Sequence, residues 1–171
     1  MSVQRPIHLQ TWIEENRHLL KPPVGNKQIY TQTNDFIVMI VGGPNSRKDY
    51  HLNATEELFY QLEGDIVVKI IEDGKPVDIH IRQGETFLLP GNVAHSPRRP
   101  ANTVGLVVEK IRHQEMEDGF LWYCEACGHK LHEEFAPVSD IVAQLPVIMD
   151  RFWQNDALRT CDNCGTYMEK P

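Results

Sequence analysis

Gly84-Glu-Thr-Phe-Leu-Leu-Pro90-Gly-Asn-Val-Ala-His95-Ser-Pro-Arg-Arg99 is the stretch that decides how this chain folds. A short apolar run lies between a Gln-Gly-Glu turn and a Pro-Gly-Asn turn, and the segment ends on a histidine and two arginines. Glycine and proline at this density mark tight turns between strands. The same texture extends in both directions. From Gln28 to about Ile111, runs rich in Val, Ile, Phe and Tyr alternate with Gly-Gly-Pro-Asn, Glu-Gly-Asp and Glu-Asp-Gly-Lys. Short strands punctuated this often predict an all-β sandwich or barrel.

The flanks read differently. Leu9, Trp12, Ile13, Leu19 and Leu20 fall near helical spacing, with Glu14, Glu15 and Arg17 between them, which predicts a helix within the first twenty residues. Lys21-Pro22-Pro23-Val24-Gly25-Asn26 stops it. Beyond Arg112 a polar stretch leads through Gly119 to a cysteine pair. Ile141, Val142, Leu145, Ile148, Met149 and Phe152 share one helical face, with Ser139 as the N-cap. Pro146 inside that run implies either a kink or the first turn of a second short helix. The expected division is therefore a barrel with its N-terminal helix over 1–115 and a small helical, four-cysteine metal lobe over 116–171.

Composition narrows the function. The 171 residues carry 17 Lys+Arg against 24 Asp+Glu, a formal charge of -7, and are 41% hydrophobic. That acidic balance argues against a nucleic-acid face. No apolar run approaches the ~18 residues of a membrane span. Met-Ser-Val-Gln-Arg-Pro lacks the apolar core of a secretion signal, so the expected compartment is the cytoplasm, where cysteines stay reduced. A chain of this length can bury a core without metal, so metal binding needs its own reason.

Within the β region three potential ligands stand out, His51, Glu57 and His95. Two imidazoles and one carboxylate on one face of an octahedral metal leave three positions open, the donor set of mononuclear Fe(II) oxygenases. If Arg47 to His51 is extended, Arg47, Asp49 and His51 share a face, and His95, Pro97 and Arg99 do so on their own segment. Two guanidiniums directed at the metal pocket imply an acidic substrate, because each can hold a carboxylate through two parallel hydrogen bonds. Glu109, at the end of Gly105-Leu-Val-Val-Glu109, suits a proton acceptor if buried beside the metal. Asp49 and Glu56 read as outer carboxylates or surface groups. His8, His18, His80 and His113 read as ordinary structural or solvated histidines.

The C-terminal region carries Cys124-Glu-Ala-Cys127-Gly128 and Cys161-Asp-Asn-Cys164-Gly165, with 33 residues between Cys127 and Cys161. Such a pair supplies four thiolates in tetrahedral geometry for Zn²⁺ or iron and leaves no open position, so the site reads as structural, or at most as an electron-transfer or storage site. Disulfides are disfavoured in a reducing compartment. His129 and His132 read as surface histidines. Glu125, Glu133, Glu134 and Asp162 around the knuckles disfavour nucleic acid.

The spacing of the barrel residues resembles the two motifs of the cupin superfamily, small jelly-roll barrels that hold a metal inside. Six residues separate Glu57 from Gly64, five separate Gly84 from Pro90, and four separate Pro90 from His95. The chain departs from that pattern at Asp49, where the superfamily usually has a first-motif histidine, and at Asn92 and Arg99, where glycine and asparagine are usual. The longer segments Lys21–Asn26, Ile40–His51, Glu57–Leu62, Phe87–Pro90 with His95-Ser-Pro97, and Trp122-Tyr-Cys124 with the second knuckle are similar to the 3-hydroxyanthranilate 3,4-dioxygenase family over nearly the whole chain. The resemblance implies catalytic Fe(II) on His51, Glu57 and His95. It also implies substrate carboxylate on Arg47 and Arg99, acid–base work by Glu109, and a loop at Asn26 closing over the ring. The four-cysteine form implies a rubredoxin-like Fe or Zn site and a homodimer. The implied reaction joins an aromatic amino acid with O₂ to give 2-amino-3-carboxymuconate semialdehyde, which cyclises to quinolinate on the kynurenine route to NAD. Two other readings share the cupin spacing: another dioxygenase or isomerase of acidic small molecules, and a non-enzymatic ligand-sensing barrel.

Overall fold

Strand pairing gathers the middle of the chain into two antiparallel sheets in a computed structural model, which describes residues 3–22, 25–45, 47–113, 115–138 and 141–171. In chain order the strands are β1 (Asn26–Gln28), β2 (Phe36–Gly42), β3 (Tyr50–Leu52), β4 (Glu57–Glu63), β5 (Ile66–Glu72), β6 (Lys75–Ile81), β7 (Thr86–Leu89), β8 (His95–Arg98), β9 (Val104–Lys110), β10 (Asp118–Tyr123) and β11 (Lys130–Ala136). The five-stranded sheet runs β1-β2-β9-β4-β7 and the six-stranded sheet runs β11-β10-β3-β8-β5-β6. This is the mainly β architecture that the turn density predicts, in the jelly-roll form that the cupin resemblance implies.

Alternation explains the barrel interior. On β5 the buried residues are Ile66, Val68 and Ile70, and on β4 they are Glu57, Phe59 and Gln61. Asp73 (φ 49°) and Gly74 (φ 74°) make the two-residue turn between β5 and β6, the left-handed pair that a tight hairpin requires. Phe59, Ile66, Val68, Ile70, Ile81, Leu89 and Val107 form one core cluster between the sheets. Each such side chain contributes ~1.5–3 kcal/mol of burial.

The expected N-terminal helix is α1 (Leu9–Asn16), continued by a 3₁₀ turn over Arg17–Leu19. Ile13 and Leu20 close a second cluster with Ile40 and Val104, so this segment covers the outer face of the five-stranded sheet.

The C-terminal part adds more β structure than its sequence suggests. β10 pairs with β3, opposing Phe120 to His51, and β11 pairs with β10. The barrel sheet therefore crosses the boundary expected at 115/116. The helices α2 (Ile141–Trp153) and α3 (Asp156–Arg159) follow. Ile148, Phe152, Trp153 and Met168 pack on Phe120 and Trp122 of β10. Pro146 lies inside α2, which runs on as a single helix. Ser139, the expected N-cap, lies outside the described residues. Among the described residues no helix is long and apolar enough to cross a membrane.

Candidate metal centre and active site

The expected ligands converge. β3 and β8 oppose His51 to His95 across the sheet, and Glu57 is the first residue of β4 in the facing sheet. One donor atom from each of His51, Glu57 and His95 lies within 4.8 Å of the others. His95 Nε2 sits 3.1 Å from Glu57 Oε2, while its Nδ1 lies 3.0 Å from the Val93 carbonyl oxygen. Burial pulls His51 below the ordinary histidine range, which favours the neutral imidazole a metal needs. The three groups are close, with Glu57 and His95 buried and His51 half-buried, and all three line one cavity, so they fit a bound metal ion.

The cavity in front of them has a volume of about 150 Å³ and is lined by Asn26, Met39, Val41, Phe59, Pro97 and Val107 together with polar groups. A cavity of ~150 Å³ is of the size that takes up a single benzene ring. Arg47, Asp49, His51, His95 and Arg99 all face it, as the alternation argument expects. Asn45 ties the two arginine segments together. Its Oδ1 accepts from Arg47 N at 3.0 Å, its Nδ2 donates to the Pro97 carbonyl at 3.0 Å, and its backbone N donates to the Arg99 carbonyl at 2.9 Å.

The two cations differ. Arg47 stands at the rim, with its side chain 41% exposed, and makes a two-point ion pair with Asp49, Nε to Oδ1 at 2.9 Å and Nη2 to Oδ2. Arg99 is 4% exposed and among the described residues has no ion pair. Its Nη1 donates to the amide oxygen of Gln61 at 3.2 Å. Burial pulls the Arg99 guanidinium down to about 10, against the opposing pull of the Glu57 charge. Asp49 therefore serves Arg47, and Glu56 is exposed to solvent.

Glu109 does not stand among the residues lining the cavity. It opposes Glu57 across β4 and β9, is 7% exposed, and meets Arg112 Nη1 at 2.6 Å. Burial and the charge of Glu57 push its carboxyl up to about 7, with Arg112 holding it back. Arg112 reaches Asp118 as well, Nη2 to Oδ2 at 3.1 Å, and Asp118 Oδ2 lies 2.7 Å from His51 Nε2. A continuous polar path thus runs from Glu109 through Arg112 and Asp118 to a metal ligand. Although burial disfavours the Asp118 charge, His51 and Arg112 outweigh it and hold this carboxyl below the usual range.

Asp118, Arg112, Asn45 and Gln61 escape the sequence reading. The available signal for Asp118 is a single carboxylate at the head of the apolar run Gly-Phe-Leu-Trp. For Gln61 it is the third inward position of a strand whose first holds Glu57. Neither pattern says what the side chain touches.

In the C-terminal part, Cys124 Sγ and Cys164 Sγ are 3.6 Å apart, as are Cys127 Sγ and Cys161 Sγ, and all four sulfurs fall within 4.8 Å of one another. Disulfide sulfurs lie ~2.05 Å apart. Tetrahedral bonds of ~2.3 Å place sulfurs ~3.8 Å apart, so this cluster fits a metal. Gly128 (φ 74°) and Gly165 (φ 73°) close the two knuckles in the left-handed region. His132 stacks with Phe152 rather than facing the sulfurs.

A jelly roll that converges two imidazoles and a carboxylate beside a buried arginine, which has no ion pair among the described residues, defines a cupin-type barrel with a candidate metal site. Its fold is similar to that of a protein from Neisseria meningitidis (TM-score 0.50, 20% identity, covering 63% of this chain and all 100% of that one). The family model for 3-hydroxyanthranilic acid dioxygenase matches residues 1–153, and the chain belongs to that family. Relatives named 3-hydroxyanthranilate 3,4-dioxygenase include one from Xanthomonas oryzae, 53% identical over 94% of this chain and 90% of its own length. Another, from Neurospora crassa, is 48% identical over 94% of this chain and 88% of its own length.

Proposed function

We propose that this chain is a ring-cleaving dioxygenase that converts 3-hydroxyanthranilate and O₂ to 2-amino-3-carboxymuconate semialdehyde, the precursor of quinolinate. The observation that carries the reading is the buried Arg99, which has no carboxylate partner among the described residues and faces the same cavity as the three convergent ligands. A single-ring substrate with one carboxylate completes that arrangement.

His51, Glu57 and His95 hold Fe(II) in this reading, and the four cysteines hold a second iron or zinc. When bound, the barrel iron supplies open positions for the substrate's adjacent hydroxyl and amino groups and for O₂. Arg99 orients the ring by its carboxylate, and Arg47 stands at the rim with its charge matched by Asp49. Such orientation is worth several kcal/mol by removing rotational freedom. Glu109, which pairs with Glu57 across the sheet and is held by Arg112 outside the cavity wall, takes the proton of the substrate hydroxyl when it turns from Arg112 toward the ring, and this makes the ring electron-rich. Met39, Val41, Phe59 and Val107 exclude water around the ring, and Asn26 stands at the cavity wall where a closing loop would act. The chain works in the cytoplasm as a homodimer.

The test is direct. Protein loaded anaerobically with Fe(II) is given 3-hydroxyanthranilate and then air, and the absorbance of the conjugated semialdehyde should appear. A chelator should abolish it and Fe(II) should restore it. Recovery with Zn²⁺ alone would overturn the redox assignment, and absence of the chromophore would overturn the substrate.

A further inference from the structure

We propose that Gln61 and Gly105 set the specificity for a carboxylated ring. The neutral Gln61 amide aims Arg99 at the cavity while leaving its charge to the substrate, on a shelf that Gly105 keeps clear. The inference rests on the reading that Arg99 receives the substrate carboxylate.

Gln61 is 1% exposed and follows Glu57 and Phe59 on the inward face of β4. Its Nε2 donates to the Glu63 carbonyl at 2.8 Å, which settles the amide orientation and turns Oε1 toward Arg99 Nη1 at 3.2 Å. Gly105 of β9 is its cross-strand partner. A Cβ on Gly105 would stand 2.8 Å from Gln61 Oε1, 3.0 Å from Arg99 Nη1 and 3.4 Å from Nη2. The guanidinium therefore lies against bare backbone, and any other residue at 105 would displace it.

The chemistry of position 61 decides what that guanidinium can do. A glutamate has nearly the same shape and would pair with Arg99 as Asp49 pairs with Arg47. A cation already matched in that way gains little from a ligand carboxylate. With an amide, the charge stays buried without an ion pair among the described residues until an anion arrives, and a ring that lacks the anion leaves it so. Discrimination between the two ligands thus depends on an uncharged side chain that need not touch either of them.

The experiment compares Gln61→Glu with the parent as iron-loaded full-length protein, on 3-hydroxyanthranilate and on 2-aminophenol, the same ring without the carboxylate. KM for 3-hydroxyanthranilate should rise by ~100-fold, since the new carboxylate both occupies Arg99 and repels the substrate's. The ratio of kcat/KM values for the two rings should fall by a similar factor, with iron content per chain as in the parent. An unchanged ratio overturns the proposal. Arg99→Met, run alongside, separates the two levels of the argument. If Arg99→Met keeps the preference, the carboxylate reading itself fails; if it loses the preference while Gln61→Glu keeps it, only the role of Gln61 fails. Should Gln61→Glu not fold, Gln61→Met removes the aim and leaves the charge, and KM should rise ~10-fold with a much smaller change in kcat. An unchanged KM there is equally fatal.

Discussion

At the scale of single residues, the groups that do most to shape the site are ones bonded to the ligands. Asp118 holds His51 at 2.7 Å and is itself held by Arg112. An imidazole fixed in this way presents its other nitrogen without searching for it, and removal of such a partner typically costs 10–100-fold in metal affinity. Asp118→Ala should therefore weaken Fe(II) binding by ~10–100-fold, read by competition with a chromogenic chelator. Affinity equal to the parent would show that His51 is positioned by packing alone. On the proposed reading, Glu109 sets the acid limb of the reaction. Its ionised form is the proton acceptor, so kcat/KM should rise with pH as the carboxyl loses its proton. The value of about 7 includes a push from the Glu57 charge, and a metal on Glu57 cancels that part. The limb should accordingly lie between the ordinary 4.5 and about 7. Glu109→Gln should remove it and lower kcat by ~10²–10⁴-fold. A limb that persists in the variant would assign the titration to another group.

At the scale of elements, what was legible in the sequence follows from what is local. Turn chemistry and alternation are properties of neighbouring residues, so β4 to β9 can be read from Glu57 to Glu109, whereas placing His51, Glu57 and His95 on one interior needs the resemblance to the cupin motifs. The partner of a strand is not a local property. Nothing in Asp118–Tyr123 says that it pairs with β3, and for that reason Asp118 was out of reach although its own strand is strongly apolar. The difference between Arg47 and Arg99 was hidden likewise, because it depends on Asp49 and Gln61 meeting one cation each. The Gly42-Gly43-Pro44 turn shows how closely elements approach. A Cβ on Gly43 would lie 2.0 Å from the Pro100 carbonyl oxygen and 2.5 Å from Thr103 Oγ1, and Gly43 N donates to the Thr103 carbonyl at 2.9 Å. Gly43→Ala must push the end of β2 away from the segment that carries Arg99. It should cost ~1–3 kcal/mol in urea unfolding and raise KM, since Asn45 next in line ties Arg47 to Arg99. Parent-like values for both would mean that this turn relaxes freely.

At the scale of the whole molecule, one sheet connects the two clusters that fit a metal. β10 begins at Asp118, against His51, and Cys124 follows directly on its end. At ~3.3 Å per residue these points lie roughly 20 Å apart along the strand. Loss of the cysteine metal could in principle reach the barrel through that strand. The packing argues otherwise, because Phe120 and Trp122 are 0% exposed and are clamped between β3 on one edge and the α2 residues Ile148 and Phe152. The far end is different. Met168 and Leu158 join this cluster from the segments around the second knuckle, which α3 alone, four residues long, cannot hold in place. On the proposed reading, metal in the four-cysteine site therefore stabilises the C-terminal segment, and β10 should stay seated without it. Cys161→Ser with Cys164→Ser should lower the melting temperature and expose Trp153, seen as a change in tryptophan emission, while turnover per bound barrel iron stays close to the parent. If turnover per iron fell in step with the melting temperature, the two centres would be coupled through β10, and the cysteine site would belong to the catalytic unit rather than to its scaffold.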